Sequence, residues 1–467
     1  MWRRVSRLDE DLMRRSGRLS SSPVDRALKR LTRTANHSLL WFAIAGLLAL
    51  RKGPTRRAAL RGAAAIAGAS TSANLVGKTL FPRRRPAAEL LPVPRRLSKR
   101  PTSSSFPSGH AASAAAFTTA VAMESPLAGA MIAPLAAAVA YSRVHTGVHW
   151  PSDVAAGSAV GVSAALLTRR WWPTGVNEPA AAYEHADHTP LHEGEGLVVV
   201  VNPQAGPNDE SPAAAIVEEW PKARVITLDE LDGVTDAKAL GVAGGDGTVA
   251  AVAAVAAERD LPLVLVPAGT LNHFARDVGI TGLHDTARAV AAGEGVRVDL
   301  ATVNDLWFVN TASLGGYPDM VRVREKLEKR WGKWPAAGIA MARVLKSSRP
   351  LHMEIDGEKH LVWMLFVGNG PYRPKGFAPT MRPRLNDGLL DVRYIRADTR
   401  FSRLRFFLGA LLGSLQQSRT YKHLEVRSLD VRVHGKPIAI ATDGEVGPRD
   451  NHFAFRSRPA ALGIYRP

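Results

Sequence analysis

Cysteine is absent from the 467 residues. That excludes disulfides, thiolate metal sites and a cysteine nucleophile, and it fits a reducing compartment. Acid is scarce at the front of the chain. Residues 1–170 hold 7 Asp+Glu against 26 Lys+Arg, and the remainder holds 35 of each sign. The formal charge of +19 therefore lies in the first third. Long apolar runs are also lacking. A helix that crosses a bilayer needs roughly 20 apolar residues. The apolar segments, at about 38–50, 59–77, 110–123, 126–142 and 154–168, fall at or below that length and are mostly rich in Ala and Gly. Small residues let helices pack closely inside a membrane. The expectation is about five membrane-embedded helices, with a soluble Ala-rich bundle as the alternative. Basic charge beside apolar helices suits anionic lipid rather than nucleic acid. The opening MWRRVSRLDEDLMRRSGRL is charged throughout, unlike a cleavable signal peptide, and is open to reading as an interfacial helix.

Residues 171–195 mix Pro, Gly, Ala and acid without apolar periodicity, which predicts a linker after an α-helical membrane domain at 1–170. Trp171-Trp172 after Arg169-Arg170 reads as an interfacial anchor. His185, His188 and His192 have metal-like spacing, but a solvated linker explains them better. From Gly196 apolar strand patterns alternate with helical ones, which predicts a parallel, helix-covered sheet over 196–300. Residues 301–467 are richer in strand patterns, with helices expected at about 318–347 and 401–417. They predict a second, mainly antiparallel lobe.

Three clusters in the basic third carry phosphate chemistry. They are Lys78 with Arg85-Pro86, then Pro107-Ser108-Gly109-His110, then Ser142-Arg143 with His149 and Asp153. Fixed cations stabilise the charge on a phosphoryl group in transfer, and Lys78, Arg85 and Arg143 supply them. Ser108 and the backbone N–H groups of Ser108 and Gly109 can donate at a helix start. His149 is the candidate nucleophile, Asp153 the group that orients its ring, and His110 the acid for the leaving alcohol. The clusters sit at segment ends, so crossing segments would place all three on one face. His145 is treated as a neighbour. Gly77-Lys78-Thr79 is not a Walker loop, because the earlier position that needs Gly holds Ser72.

These motifs resemble the type 2 phosphatidic acid phosphatase family over roughly the first 170 residues. The resemblance implies a helical bundle, lipid phosphate or prenyl pyrophosphate substrates, a phosphohistidine intermediate, no cofactor and inhibition by vanadate. The family often has six membrane helices, and five are legible here. A soluble haloperoxidase-like domain, which shares this site, is the alternative.

The neutral part carries Asn202-Pro203-Gln204-Ala205-Gly206 after its first strand, then Gly244-Gly245-Asp246-Gly247-Thr248, then Pro267-Ala268-Gly269-Thr270-Leu271-Asn272, and far downstream Asp443-Gly444-Glu445. Glycine-rich turns between strand and helix let backbone N–H groups approach phosphates. Asp246 can face nucleotide-bound Mg²⁺. Glu445 can deprotonate an acceptor hydroxyl, and Asp443 can orient it or share the metal. Residues 196–467 resemble the diacylglycerol kinase catalytic domain in its bacterial lipid kinase branch. The resemblance implies ATP and Mg²⁺, with Asn202 to Gly206, Gly244 to Thr248 and Thr270 lining the nucleotide and Glu445 as proton acceptor. It also implies a structural Mg²⁺ loop at Arg384, Asp387 and Leu389. Read alone, Asn386-Asp387-Gly388 is a turn between strands. Nicotinamide-dinucleotide kinases share a GGDGT turn, but PAGTLN, the late DGE and the membrane domain favour a lipid acceptor, whether diacylglycerol or a sphingoid alcohol.

The expected whole is a multi-pass cell-membrane protein with its kinase in the cytoplasm and two opposed activities on lipids. A lipid and nucleotide sensor without turnover is the alternative of another class. The oligomeric state is open.

Overall fold

A computed structural model describes residues 2–18, 23–51, 53–98, 100–170, 172, 174, 179–183, 187–203, 212–269, 272–316, 323, 327, 339, 343, 349–373 and 381–467. The chain divides into two compact units, 1–175 and 176–467.

Among the described residues the first unit is built of helices and the loops between them, with no strand. Helices α1 (Trp2–Gly17) and α2 (Pro23–Thr34) precede five more: α3 (Leu39–Ala49), α4 (Pro54–Thr71), α5 (Gly109–Glu124), α6 (Pro126–His145) and α7 (Pro151–Leu167). Proline occupies the first turn of α4, α6 and α7, where its missing N–H costs nothing. α4 runs through a π-helical turn, Ser72–Gly77, that delivers Lys78. α5 lies against α4, α6 and α7 through buried Ala111, Ala112, Ala116, Phe117 and Ala120. Its crossing with α7 depends on glycine. A Cβ at Gly157 would stand 2.3 Å from the Ser108 carbonyl oxygen, and one at Gly161 would stand 2.2 Å from that of Ala112. Ser108 N–H donates to the Asp153 carbonyl at 2.9 Å, which ties the start of α5 to the start of α7. Among the described residues α6 alone is long and apolar enough to cross a membrane.

The second unit begins with strands β1 (Leu197–Val201), β2 (Arg224–Ile226), β3 (Ala239–Gly244) and β4 (Leu263–Pro267), all parallel in the order β2-β1-β3-β4. Helices α8 (Ala213–Glu219), α9 (Asp246–Glu258), α10 (His273–Val278) and α11 (Leu283–Ala292) alternate with them. The β3–α9 and β4–α10 turns therefore open at the carboxyl ends of adjacent strands, where such sheets bind ligands. The rest is largely antiparallel. The strands are β5 (Gly295–Val303), β6 (Leu306–Phe308), β7 (Thr311–Gly315), β8 (Leu351–Ile355), β9 (Glu358–Asn369), β10 (Leu390–Arg396), β11 (Tyr421–Val426), β12 (Ser428–His434), β13 (Ile438–Thr442), β14 (Glu445–Asp450) and β15 (His452–Tyr465). Their path is β14-β13-β7-β9-β8-β12-β15, and α12 (Ser402–Leu411) falls within the expected 401–417 span. Most of the helix expected at 318–347 lies outside the described residues.

Two boundaries differ from expectation. β15 spans 14 residues, pairs with β12 and β5, and then reaches β4 at Ile464↔Leu263. Leu462 and Ile464 consequently share a core with Val200, Val242 and Leu265 of the first lobe, so a cut at residue 300 divides one core. The segment 171–195 is not solvated along its whole length. From residue 179 it packs on the second unit, with Ala180 and Leu191 buried and the His188 ring 4.9 Å from that of Tyr465. Its few apolar residues find strand ends whose glycines, Gly295 and Gly463, leave room for the imidazole.

Fully buried Arg382 joins the two lobes of this unit. It donates to Asp277 at 2.7 Å, to the Val309 carbonyl at 2.7 Å and to Asn310 Oδ1 at 2.9 Å. Arg382→Met leaves the Asp277 carboxylate buried and unpaired, at an expected cost of about 3–5 kcal/mol in chemical unfolding of the second unit.

Candidate active sites

The three clusters of the first unit meet at one end of the bundle. Arg85 Nη1 lies 3.4 Å from His149 Nε2 and donates to the Val148 carbonyl at 2.5 Å. Its Nε and Nη2 donate to the Ser103 and Ser104 carbonyls, which fixes the guanidinium plane. Lys78 is within electrostatic range of Arg85 and Arg143, and His110 is within range of Arg143, His149 and Lys78. Ser108 Oγ and Arg143 Nε are buried without a hydrogen-bond partner. Buried donors left unpaired are costly. An anion accepted from both would remove that cost.

The imidazole of His149 has a defined proton. Its Nδ1 is 2.6 Å from the Ser105 carbonyl oxygen, which can only accept, so Nδ1 carries the hydrogen and Nε2 a lone pair. This corrects the role expected of Asp153. The Asp153 Oδ2 atom is 3.8 Å from His149 Nδ1, too far for a hydrogen bond, and it accepts instead from Trp150 N–H at the start of α7. The backbone carbonyl orients the ring, while Asp153 stabilises it electrostatically. Burial pushes His149 down to about 4, with Arg143 and Arg85 adding to the shift and Asp153 opposing it.

Several residues that hold this site carry no motif signal. Arg83 donates to Asp153 Oδ1 at 2.7 Å, to Ser152 Oγ at 2.7 Å and to Asp9 Oδ2 at 2.8 Å. Burial works against its charge, but Asp9 and Asp153 outweigh it and raise its pKa. Asp9 also accepts from Ser152 N–H and Oγ–H. From α2, Thr32 Oγ1 accepts from Arg143 Nη1 and Asp25 accepts from Arg95 and His145. Asn36 Oδ1 sits 2.9 Å from His110 Nε2. The only hint in the sequence is a few acids among many bases: Asp9 and Asp25 are both buried. Arg83→Met removes the brace on Asp153 and Ser152. It should lower kcat for a reaction at this site on the order of 100-fold with little change in KM, as expected for misplaced groups that do not touch substrate.

In the second unit the turns gather as their spacing requires. A Cβ at Gly269 would lie 2.6 Å from Gly245 Cα, so the β3–α9 and β4–α10 turns touch. Asp246 Oδ1 accepts from His273 N–H at 2.8 Å, which locks the start of α9 to the start of α10. Asn272, in the left-handed region, closes its own turn on Gly269 through both amide atoms. Asn202 N–H donates to the Ala243 carbonyl, which places the β1 turn beside β3. Glu445 faces this junction, its Oε1 being 3.4 Å from where a Gly247 Cβ would stand. Asp443 does not face it. Its carboxylate accepts from the N–H groups of Val309, Asn310 and Thr311 at 2.7–2.9 Å. Asp443 therefore holds the Gly444-Glu445 turn against β7. Gly244 and Thr248 form the β3–α9 turn and Pro203 follows Asn202, while Gln204, Ala205, Gly206 and Thr270 lie outside the described residues.

At the predicted metal loop, Asp387 Oδ1 accepts from Leu389 N–H, and the Leu389 carbonyl accepts from Gly370 N–H. The Arg384 carbonyl oxygen also faces Gly370. Burial raises Asp387, and nearby Asp299 adds to the shift. Among the described residues no three His, Asp or Glu side chains gather as a metal site.

The fold and these clusters define a chain with two phosphate-handling sites, one helical and one of the glycine-turn α/β type. Residues 58–176 match the PAP2 superfamily, 196–303 the diacylglycerol kinase catalytic domain and 322–466 the YegS C-terminal NAD kinase beta sandwich-like domain. A diacylglycerol kinase of Mycobacterium tuberculosis is 30% identical over 245 residues, covering 48% of this chain and 76% of that protein. The chain belongs to the diacylglycerol kinase family, with a PAP2 domain fused ahead of the kinase domain. A diacylglycerol kinase structure from Bacillus anthracis is 19% identical with a TM-score of 0.42, covering 58% of this chain and 96% of that one. LpxE of Aquifex aeolicus is 24% identical with a TM-score of 0.30, covering 34% and 92%.

Proposed function

We propose that this is a bifunctional enzyme of lipid-phosphate metabolism, with a phosphatase domain at 1–170 and a kinase domain at 196–467. The observation that carries the reading is the double convergence: His149, Arg85, Lys78, Arg143 and His110 at one end of a helical bundle, and Glu445 against the GGDGT turn.

In the phosphatase the Nε2 lone pair of His149 attacks phosphorus. The N–P bond forms as the P–O bond to the leaving alcohol breaks, and His110 protonates that alcohol. Water, deprotonated by His110, then attacks the phosphohistidine; the N–P bond breaks and free phosphate leaves. Arg85, Arg143, Lys78, Ser108 and the Gly109 N–H hold the equatorial oxygens. The Ser105 carbonyl and Asp153 balance the positive charge that His149 develops.

In the kinase, bound ATP supplies the phosphoryl group and Mg²⁺ neutralises its charge. Residues 202–206, 244–248 and Thr270 would hold the nucleotide and Asp246 its Mg²⁺, and Glu445 takes the proton of a lipid hydroxyl such as that of diacylglycerol. Asp443 positions Glu445. Support for a structural Mg²⁺ at Arg384, Asp387 and Leu389 comes from half-buried Asp387 lying near buried Asp299, whose repulsion a cation would relieve. The short helices cross or embed in a cell membrane, and the need for ATP places the kinase in the cytoplasm.

A lipid panel assayed with ATP, and separately for phosphate release, tests the reading. Activity on no lipid alcohol and no lipid phosphate would overturn it.

A further inference from the structure

We propose that α12 is a docking element that seats the kinase lobe on an anionic bilayer surface. The lipid-kinase reading enters only in the choice of a bilayer as occupant.

One face of α12 is anchored. Ser402, Phe406 and Gly409 are buried, and Phe406 packs with Trp363, Met364, Ile395 and Leu415. A second face carries Leu404, Leu408 and, at the cap, Leu412, spaced 4 residues apart and 56%, 42% and 57% exposed, and Phe401, just before the helix in the left-handed region, is 63% exposed. Helical periodicity puts the three leucines in one stripe. A contiguous exposed apolar stripe on a folded lobe marks an interaction surface.

Charge selects the occupant. Arg400, Arg403, Arg405, Arg419 and Lys422 are all exposed, Arg405 and Arg419 beside Leu408 and Leu412, and no Asp or Glu occurs between Asp398 and Glu425. Five exposed cations in and beside this helix repel a second copy presenting the same segment across a twofold axis. They attract an anionic lipid surface, and an apolar stripe flanked by arginines is the pattern of a helix lying in the headgroup layer. An open groove of about 370 Å³ runs beside the helix between Arg405 and Arg419, and Ser414 and Ser418 also line it. A lipid phosphate there would meet two guanidinium groups.

The absence of cysteine makes the test clean, because Leu404→Cys introduces the only thiol. The full chain, spin-labelled at position 404, is placed in phosphatidylcholine vesicles with and without phosphatidylglycerol. Circular dichroism checks the fold. With phosphatidylglycerol the label should become more accessible to oxygen and less accessible to a water-soluble nickel chelate. A label at Lys222→Cys, on the surface of the first lobe, should not change. Added salt and the pair Arg403→Glu with Arg405→Glu should each reverse the shift at 404. The proposal is overturned if the 404 label stays water-accessible in both vesicles. It is equally overturned if the label shows spin–spin broadening from a second copy, or becomes shielded from both reagents by protein. None of these readouts requires turnover, so a failed docking surface and a failed kinase assay are distinguishable.

Discussion

In His149→Ala, phosphate release from a lipid phosphate should fall by roughly 10,000-fold or more, while ATP-dependent phosphorylation of a lipid alcohol stays at the parent level. The nucleophile cannot be replaced from within the site. Ser105 turns its carbonyl to the ring while its hydroxyl donates to the Arg84 carbonyl, Asp153 is engaged by Arg83 and by Trp150 N–H, and His145 points to Asp25. The pH profile gives a second check. An ordinary imidazole takes up its proton near pH 6.5. Burial beside Arg143 and Arg85 disfavours the charged ring, so His149 stays neutral as pH falls through 6.5 and protonates only near 4. The acid limb that His149 imposes on phosphate release should therefore lie near pH 4. Removing the Arg85 charge relieves part of that repulsion. Arg85→Gln should move the limb upward as well as slow the reaction. A limb that stays fixed in Arg85→Gln would assign it to another group.

The sites were more legible than the shell that holds them. Lys78, Arg85, His110 and His149 stand at fixed spacings because the chemistry leaves few alternatives, and the clusters mark helix ends by their Pro and Gly neighbours. Asp9, Thr32 and Asn36 reach the same site from α1, α2 and the turn that follows, and any residue of suitable reach would serve there. Nothing in their spacing announces the contact. Asp443 and Asp153 illustrate the opposite error. Each is near a catalytic candidate in sequence, yet the Asp443 carboxylate is taken by three backbone N–H groups that shape a turn, and that of Asp153 by Arg83 and the Trp150 N–H that starts a helix. The strands of the second unit followed from alternation and apolar runs, but β15 did not reveal that it serves two cores. Its length is visible in the sequence, whereas its partners, β12, β5 and β4, lie in distant segments.

Glu445→Gln should lower kcat for lipid phosphorylation by roughly 100- to 10,000-fold, the usual contribution of a positioned base, with the KM for ATP nearly unchanged and phosphate release intact. Glutamine keeps the shape of the side chain but cannot accept the proton of the attacking hydroxyl. Asp246→Ala should behave differently. Asp246 also accepts the His273 N–H that joins the two glycine turns, so its loss should weaken ATP and Mg²⁺ binding as well as turnover. The contrast separates a base from a nucleotide ligand at one junction. If Glu445→Gln raised the KM for ATP and left kcat alone, Glu445 would be a nucleotide contact. The proton acceptor would then have to be sought elsewhere on the β3–α9 and β4–α10 turns, because Asp443 is committed to three backbone donors.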